Sequence, residues 1–267
     1  MAEGRVYAVG VGPGSPRYLT AIAEEIIRGC DIVVGYEYTL RTIRHLLGPG
    51  KTVHTVTMSS QEGVLQSVAA ELRAGAEEKT VVVPFTGDAS FSESEVVDRL
   101  AEIFGGVQII PGISSVQVAA AMAGVPLDKS RVITMHVTSP IEGKKEEMRQ
   151  ALASGLSVVL IPRPWPKRPD KHFMPSEVAA HLREHGFDTG AMRVSVFESL
   201  TTEQQTRFDG AVSELEGREF SDLCVVVFNQ SEPDSYMNYR WQWDGGGCGG
   251  HGNDGGGRGA PGGQGDA

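Results

Sequence analysis

Three short loops, each closing a short apolar run, constrain this chain more than any other feature. Val6–Val9 leads into Gly10-Val11-Gly12-Pro13-Gly14-Ser15, Val81–Phe85 into Thr86-Gly87-Asp88-Ala89-Ser90, and Val107–Ile110 into Pro111-Gly112-Ile113-Ser114-Ser115. Apolar runs of about 4–8 residues that stop at turn residues read as buried parallel strands. Small residues at strand ends let a ligand approach the backbone closely. Open α/β sheets bind ligands at the carboxyl ends of their strands, so the three loops are expected to converge on one crevice.

The segments between the loops alternate strand and helix. Thr20 is placed to cap a helix running to about Cys30, with Ile22 and Ile26 on one face and Gly29 at its end. Asp31–Gly35 reads as a strand, and Gln61–Ala74 and Glu93–Phe104 as helices. Val116–Ala123 is alanine-rich, which suits close packing against a sheet or a subunit. A junction near Val125-Pro126-Leu127-Asp128 opens a second half. There Arg131–Val137, Leu156–Ile161, Met192–Glu198 and Leu223–Phe228 read as strands, and Glu142–Ala153 as a charged helix. Pro175 suits the first turn of a helix ending near Gly186. The expected fold is α/β with two domains, residues 1–125 and 126–230, each with its own sheet.

Residues 245–267 hold 13 glycines. Such a stretch buries too little apolar surface to offset its ordering entropy, so 231–267 is expected to be a disordered tail. Cys248 and His251 within it make a poor metal site, because structural zinc usually takes about four ligands. No metal is expected. Cys30 and Cys224 sit beside apolar segments and read as buried thiols. The absence of a disulfide framework, of a signal-peptide core and of a long apolar span leads to the expectation of a cytoplasmic chain with no membrane role. The net charge of −10 argues against nucleic-acid binding, which needs a basic surface.

Each loop has a ligand-binding and a plainer reading. The first partly meets the dinucleotide fingerprint G-x-G-x-x-G, but Ser15 occupies the third glycine position and Pro13 removes a backbone N–H where a pyrophosphate needs donors. Glu37 as a ribose-binding acid lies beyond the usual spacing. The plainer reading is a tight strand-to-helix turn. Asp88 can accept from a ligand or close an Asx-turn on its own backbone. Ser114 and Ser115 can face a cofactor or cap a helix.

Together the three loops resemble the tetrapyrrole methyltransferase family, the class III S-adenosylmethionine methyltransferases. Val9–Ser15 is similar to the family's opening loop. Thr86-Gly87-Asp88 resembles its Gly-Asp-Pro motif, with Ala89 in the proline position, and Pro111–Ser115 resembles its third motif. Phe197-Glu198-Ser199-Leu200-Thr201, Met174-Pro175-Ser176-Glu177 and Phe220–Val227 resemble the branch that methylates C5 of cobalt-precorrin-7 (precorrin-6Y) in cobalamin biosynthesis. Val34-Gly35-Tyr36 is also similar to the C17 branch acting on precorrin-3B, which stands as the alternative. Outside the family, the alternatives are a nicotinamide-dependent oxidoreductase and a non-catalytic nucleotide- or tetrapyrrole-binding module.

The resemblance implies two α/β domains with S-adenosylmethionine in the cleft between them, and a homodimer. It implies cofactor contacts at Pro13, Gly87, Asp88, Ser90, Phe91, Ser114, Ser115 and Pro162. The substrate would be a precorrin-type macrocycle bearing several carboxylates. Arg163, Lys167 and Arg168, with Lys171 and Trp165 on the same loop, are the candidates to receive it. His136, at an expected strand end, is the one candidate for proton transfer. Some family members are fused to a C15-methyltransferase/decarboxylase unit, so that activity is expected here from a separate partner.

Overall fold

The computed structural model describes residues 5–230 apart from 76, 92, 166, 169 and 170. The glycine-rich tail, with Cys248 and His251, lies outside the described residues.

The first sheet contains β1 (Arg5–Gly10), β2 (Ile32–Tyr36), β3 (Thr52–Val56), β4 (Thr80–Phe85) and β5 (Gln108–Ile110), ordered β3-β2-β4-β1-β5. Every pair in it is parallel. Parallel strands are covered on both faces, which explains the near-continuous apolar runs of β1, β2 and β4. Successive side chains point to opposite faces. Ala8, Val34, Val81 and Val83 pack with Leu65, Val68 and Leu100 of α3 (Gln61–Ala74) and α4 (Ser94–Phe104). Val9, Val33 and Val82 pack on the other face with α1 (Ala21–Gly29) and α2 (Glu37–Ile43). Thr20 caps α1, its hydroxyl accepting from the Ala23 N–H at 3.3 Å. The buried face of α1 is Ala23 and Ile27; Ile22, expected on that face, is 52% exposed.

The second sheet contains β6 (Ser130–Thr134), β7 (Ser157–Ile161), β8 (Arg193–Glu198), β9 (Thr206–Ala211) and β10 (Cys224–Phe228), ordered β6-β7-β10-β8-β9. Only β6 and β7 run parallel; the other three pairings are antiparallel. One face carries α6 (Glu142–Ala153) and α7 (Pro175–Glu184), through Met148, Leu152, Val178 and Leu182. The other face carries α5 (Ser115–Met122), which follows the last strand of the first sheet. Val116, Val118, Ala119 and Ala120 of α5 pack on Val159, Phe197, Val225 and Val227. The alanines of α5 therefore seat on a sheet of the same chain. Each fully buried valine there contributes about 1.5–3 kcal/mol relative to exposure, so α5 ties the two sheets together.

β3 and β9 were not legible as strands. Both are outer strands of their sheets, and both are mostly exposed. An edge strand needs little apolar sequence, and Thr-Arg-Phe-Asp-Gly-Ala and Thr-Val-His-Thr-Val give only weak signals.

Candidate active site

The three loops do meet. Gly12 and Gly87 exchange backbone hydrogen bonds, Gly12 N–H to Gly87 O at 3.2 Å and Gly87 N–H to Gly12 O at 2.7 Å. A Cβ on Gly10 would lie 2.6 Å from the Gly112 nitrogen, and one on Gly112 would lie 2.3 Å from the Gly87 carbonyl oxygen. Glycine is required here because backbone fills the space a side chain would occupy. Asp88, 8% exposed, locks the contact. Its Oδ1 accepts from the Ser90 N–H at 2.6 Å, closing the Asx-turn, and its Oδ2 accepts from the Gly112 N–H at 2.9 Å. The third loop ends in a capping box. Ser114 Oγ accepts from the Val116 N–H at 3.3 Å, and Gln117 Oε1 accepts from the Ser114 N–H at 2.8 Å.

The second sheet supplies the facing wall through the turn after β8. Ser199 and Thr201 have φ of 48° and 67°. A β-branched residue at positive φ is a genuine outlier, and such residues persist only where their surroundings hold them. Thr201 is held from two sides: its N–H donates to Gln205 Oε1 at 2.6 Å, and its Oγ1 accepts from the Ser15 N–H at 2.9 Å. The Thr202 hydroxyl donates to the Ser199 carbonyl at 2.7 Å. This turn presses on the first loop so closely that a Cβ on Gly14 would lie 2.6 Å from Thr202 Cγ2.

Between these walls lies a cleft of about 710 Å³, within the range of about 300–1,000 Å³ typical of small-molecule sites. Pro13, Asp88, Phe91, Ser114, Ser115 and His136 line it. Tyr38, Arg41 and Thr42 of α2, Glu93, and Leu200, Thr201, Asp222, Leu223 and Val225 of the second half line it too. Sequence reasoning did not select these additional residues as site residues. The Phe197–Thr201 and Phe220–Val227 segments, singled out for their branch resemblance, were the available signal for the second-half group. Gly87, Ser90 and Pro162 are not among the wall residues. Gly87 is committed to the loop contact, Ser90 is exposed, and Pro162 is buried beside the wall residue Ile161.

The electrostatics of the wall are uneven. Burial, reinforced by Glu95, pushes the Glu93 carboxyl up to about 7. Burial, reinforced by Glu93 and Tyr36, pushes the Tyr38 phenol up to about 12, so it remains a hydrogen-bond donor at neutral pH. His136 is an exposed residue of the cleft wall, its ring edge-on to Trp165. Partial desolvation by the surrounding protein, followed by the charge of Arg163, lowers its pKa below the ordinary 6.5, which favours the neutral imidazole at pH 7.

The leading residue of the expected substrate-binding loop is turned inward by the structure. Arg163 is 2% exposed. Its guanidinium turns inward, donating to the carbonyls of Val137 at 3.2 Å, Ser139 at 3.1 Å and Lys171, and stacking over Trp165. A buried arginine saturated by carbonyls and an aromatic face organises its loop and leaves little to offer a substrate carboxylate. Lys167 and Arg168 are exposed on the same loop and do not reach the cleft wall. Glu37, considered for a ribose, instead accepts from Arg44 Nη2 at 2.6 Å on the surface.

Residues 5–216 match the family profile of tetrapyrrole (corrin/porphyrin) methylases. A probable cobalt-precorrin-7 C(5)-methyltransferase of Methanocaldococcus jannaschii is 26% identical over 231 residues, covering 85% of this chain and 99% of that protein. A probable cobalt-factor III C(17)-methyltransferase of the same organism is 27% identical over 175 residues, covering 63% of this chain and 67% of that protein. Among solved structures, the methyltransferase CobJ superposes with a TM-score of 0.66 at 22% identity, covering 85% of this chain and 94% of its own. A precorrin-6Y methylase of Archaeoglobus fulgidus gives 0.58 at 20% identity, covering 86% of this chain and 100% of its own. The two superpositions carry the fold, and the profile match, which includes all three glycine loops and the turn that faces them, carries the family: this chain belongs to the tetrapyrrole methylases.

Proposed function

We propose that the chain transfers a methyl group from S-adenosylmethionine to a carbon of a precorrin-type macrocycle, and that the carbon is C5 of cobalt-precorrin-7. The observation that carries this reading is the cleft itself, formed where the glycine loops of a parallel sheet face the strained Ser199–Thr202 turn. Similarity over nearly the whole length of a C5 enzyme supports the choice of carbon. The donor set suits the cofactor. Phe91, Leu200 and Val225 offer apolar surface to a flat base, Thr86, Ser115 and Thr201 offer hydroxyls, and Asp222 and Glu203 offer carboxylates to an amine. When bound, S-adenosylmethionine supplies a methyl group activated by its sulfonium. The chain's task is to align the electron-rich carbon with that methyl and to exclude water. The neutral His136 ring can accept a proton released by the macrocycle.

A homodimer, a separate C15-methyltransferase/decarboxylase partner, a cytoplasmic location and a domain boundary near Val125-Pro126 belong to the same proposal. The C17 reading is favoured by one observation, the similarity to the cobalt-factor III enzyme. Two features of the first loop work against a nicotinamide site. The Gly12 N–H is committed to Gly87, and a 3₁₀ turn at Pro16–Tyr18 separates the loop from α1, so no helix N-terminus faces a pyrophosphate there.

Calorimetric titration with S-adenosylmethionine, with NADH as control, tests the cofactor. Saturable binding of the former alone is expected. Binding of NADH, or of neither, would overturn the reading. Turnover with methyl-labelled cofactor then assigns the carbon, with label at C5 expected and label at C17 favouring the second reading.

A further inference from the structure

With Arg163 turned inward, the cleft needs another cation if its substrate is acidic. Arg41 is the sole lysine or arginine among the described wall residues. It is exposed on α2, and no ion pair engages it among the described residues. Nearby arginines are differently placed. Arg28 is paired with Glu24 at 2.6 Å and Arg44 with Glu37 at 2.6 Å, both outside the cleft. Tyr38 and Arg41 stand three residues apart on one helix and both reach the cleft, with the Thr42 hydroxyl beside them. The opposite wall carries Glu203 and Asp222, which repel carboxylates, whereas Glu93, on the Tyr38 side, has a carboxyl raised to about 7 by burial and so carries only part of a charge near neutral pH.

We infer that the Tyr38–Arg41–Thr42 face of α2 is the anchor for the carboxylates of a polyanionic macrocycle, with Arg41 as its specificity-determining residue. This rests on the tetrapyrrole reading above. A guanidinium fork matches a carboxylate through two parallel N–H donors, and the Tyr38 hydroxyl adds a third donor from the neighbouring turn. The acidic wall across the cleft sets the polarity. One carboxylate-bearing edge of the macrocycle faces α2, and the transfer chemistry lies towards the glycine loops.

The test uses the full chain and a stable probe, uroporphyrin, an octacarboxylate tetrapyrrole, followed by fluorescence. A tetracationic porphyrin of similar ring size is the charge control. Arg41→Gln and Arg41→Lys both suit an exposed helical position. Arg41→Gln is expected to weaken uroporphyrin binding by about tenfold or more, as for the loss of a charge-assisted hydrogen bond. Arg41→Lys should restore part of it, Arg44→Gln should bind uroporphyrin as wild type does, and Arg41→Gln should not weaken binding of the cationic porphyrin. Equal affinity of wild type and Arg41→Gln would overturn the inference. So would equal weakening for both porphyrins, which would mark a structural effect, and so would a wild-type chain that does not take up uroporphyrin. Cofactor titration on the same variants separates the two claims: S-adenosylmethionine binding should be unaffected by Arg41→Gln, and its absence in wild type would sink the methyltransferase reading.

Discussion

The two walls of the cleft solve one problem by different means. In the parallel first sheet every strand ends at the same edge, so three loops arrive together and the remaining difficulty is crowding. Glycine solves it: Gly10 and Gly112 bring backbone against backbone where any Cβ would collide, and Gly87 takes a φ of 73° that favours glycine. The second sheet is mostly antiparallel and delivers few strand ends to that edge. It reaches the cleft with His136, Ile161, the start of β10 and one tight turn, and in that turn Ser199 and Thr201 take positive φ without glycine. One wall is relaxed and relies on residue type; the other is strained and relies on its neighbours to hold it. Close approach of backbone can thus be written into the sequence or imposed by surrounding hydrogen bonds.

The sharpest way to break this comparison is Gly112→Ala. The new methyl would meet the Gly87 carbonyl oxygen at 2.3 Å and Gly10 backbone at 2.7 Å. Overpacking costs about 1–3 kcal/mol and occasionally more, and a clash with backbone on two sides belongs at the upper end. Urea unfolding should show that loss together with loss of cofactor binding. A stable, binding-competent variant would refute the claim that these loops are held by backbone contact. Asp88→Ala should come next. It leaves the Ser90 and Gly112 N–H groups without their acceptor, and with partial rescue by water a loss of about 2 kcal/mol is expected by the same measurement.

The halves should also differ in their response to pH. Glu93, in the first half, has its carboxyl raised from an ordinary 4.5 to about 7 by burial. Above that value it is charged in both states and its burial penalty is fully present. As pH falls from about 7 towards 4.5 the folded form protonates first and stability is gained. His181, in the second half, is lowered from 6.5 to about 4 by burial, then by His185 and nearby cations, and its Nε2 has no hydrogen-bond partner among the described residues. As pH falls from 6.5 towards 4 the unfolded chain protonates first and stability is lost. Measured against wild type, Glu93→Gln should therefore lose stability on acidification and His181→Gln should gain it. Urea midpoints from pH 7.5 to 4.5 read both, and parallel curves for the three proteins would show that neither group is so buried.

The smallest expected effect sharpens the strained side. Ser199→Gly relieves a left-handed backbone worth about 1–2 kcal/mol in an ordinary residue, offset by about 0.5–1 kcal/mol of glycine's extra entropy cost. A net gain of a few tenths of a kcal/mol should appear in unfolding, where a loss would mean that the serine side chain contributes contacts of its own.

The chain's local grammar was open to reading. The apolar runs of β1, β2, β4, β7 and β10, the Thr20 cap, the limits of α3 and α6 and the crowded glycine loops follow from residue type and spacing, because burial on both faces and backbone geometry act within a few residues. The outer strands β3 and β9 were opaque because half-solvated edges need no apolar run. The positive φ of Ser199 and Thr201 was opaque too, since neither residue favours it; Ser15, from the distant first loop, and Gln205, four residues on, hold Thr201 there. Arg163 and Arg41 make the same point for charge. Both are arginines near loops, yet sheet packing buries one against carbonyls and leaves the other on the cleft wall. The sequence by itself determined which segments are strands of a parallel core and where the backbone must come close. Only the tertiary structure decided which charges face the ligand, because that depends on which side chains remain at the surface once two sheets and α5 have packed.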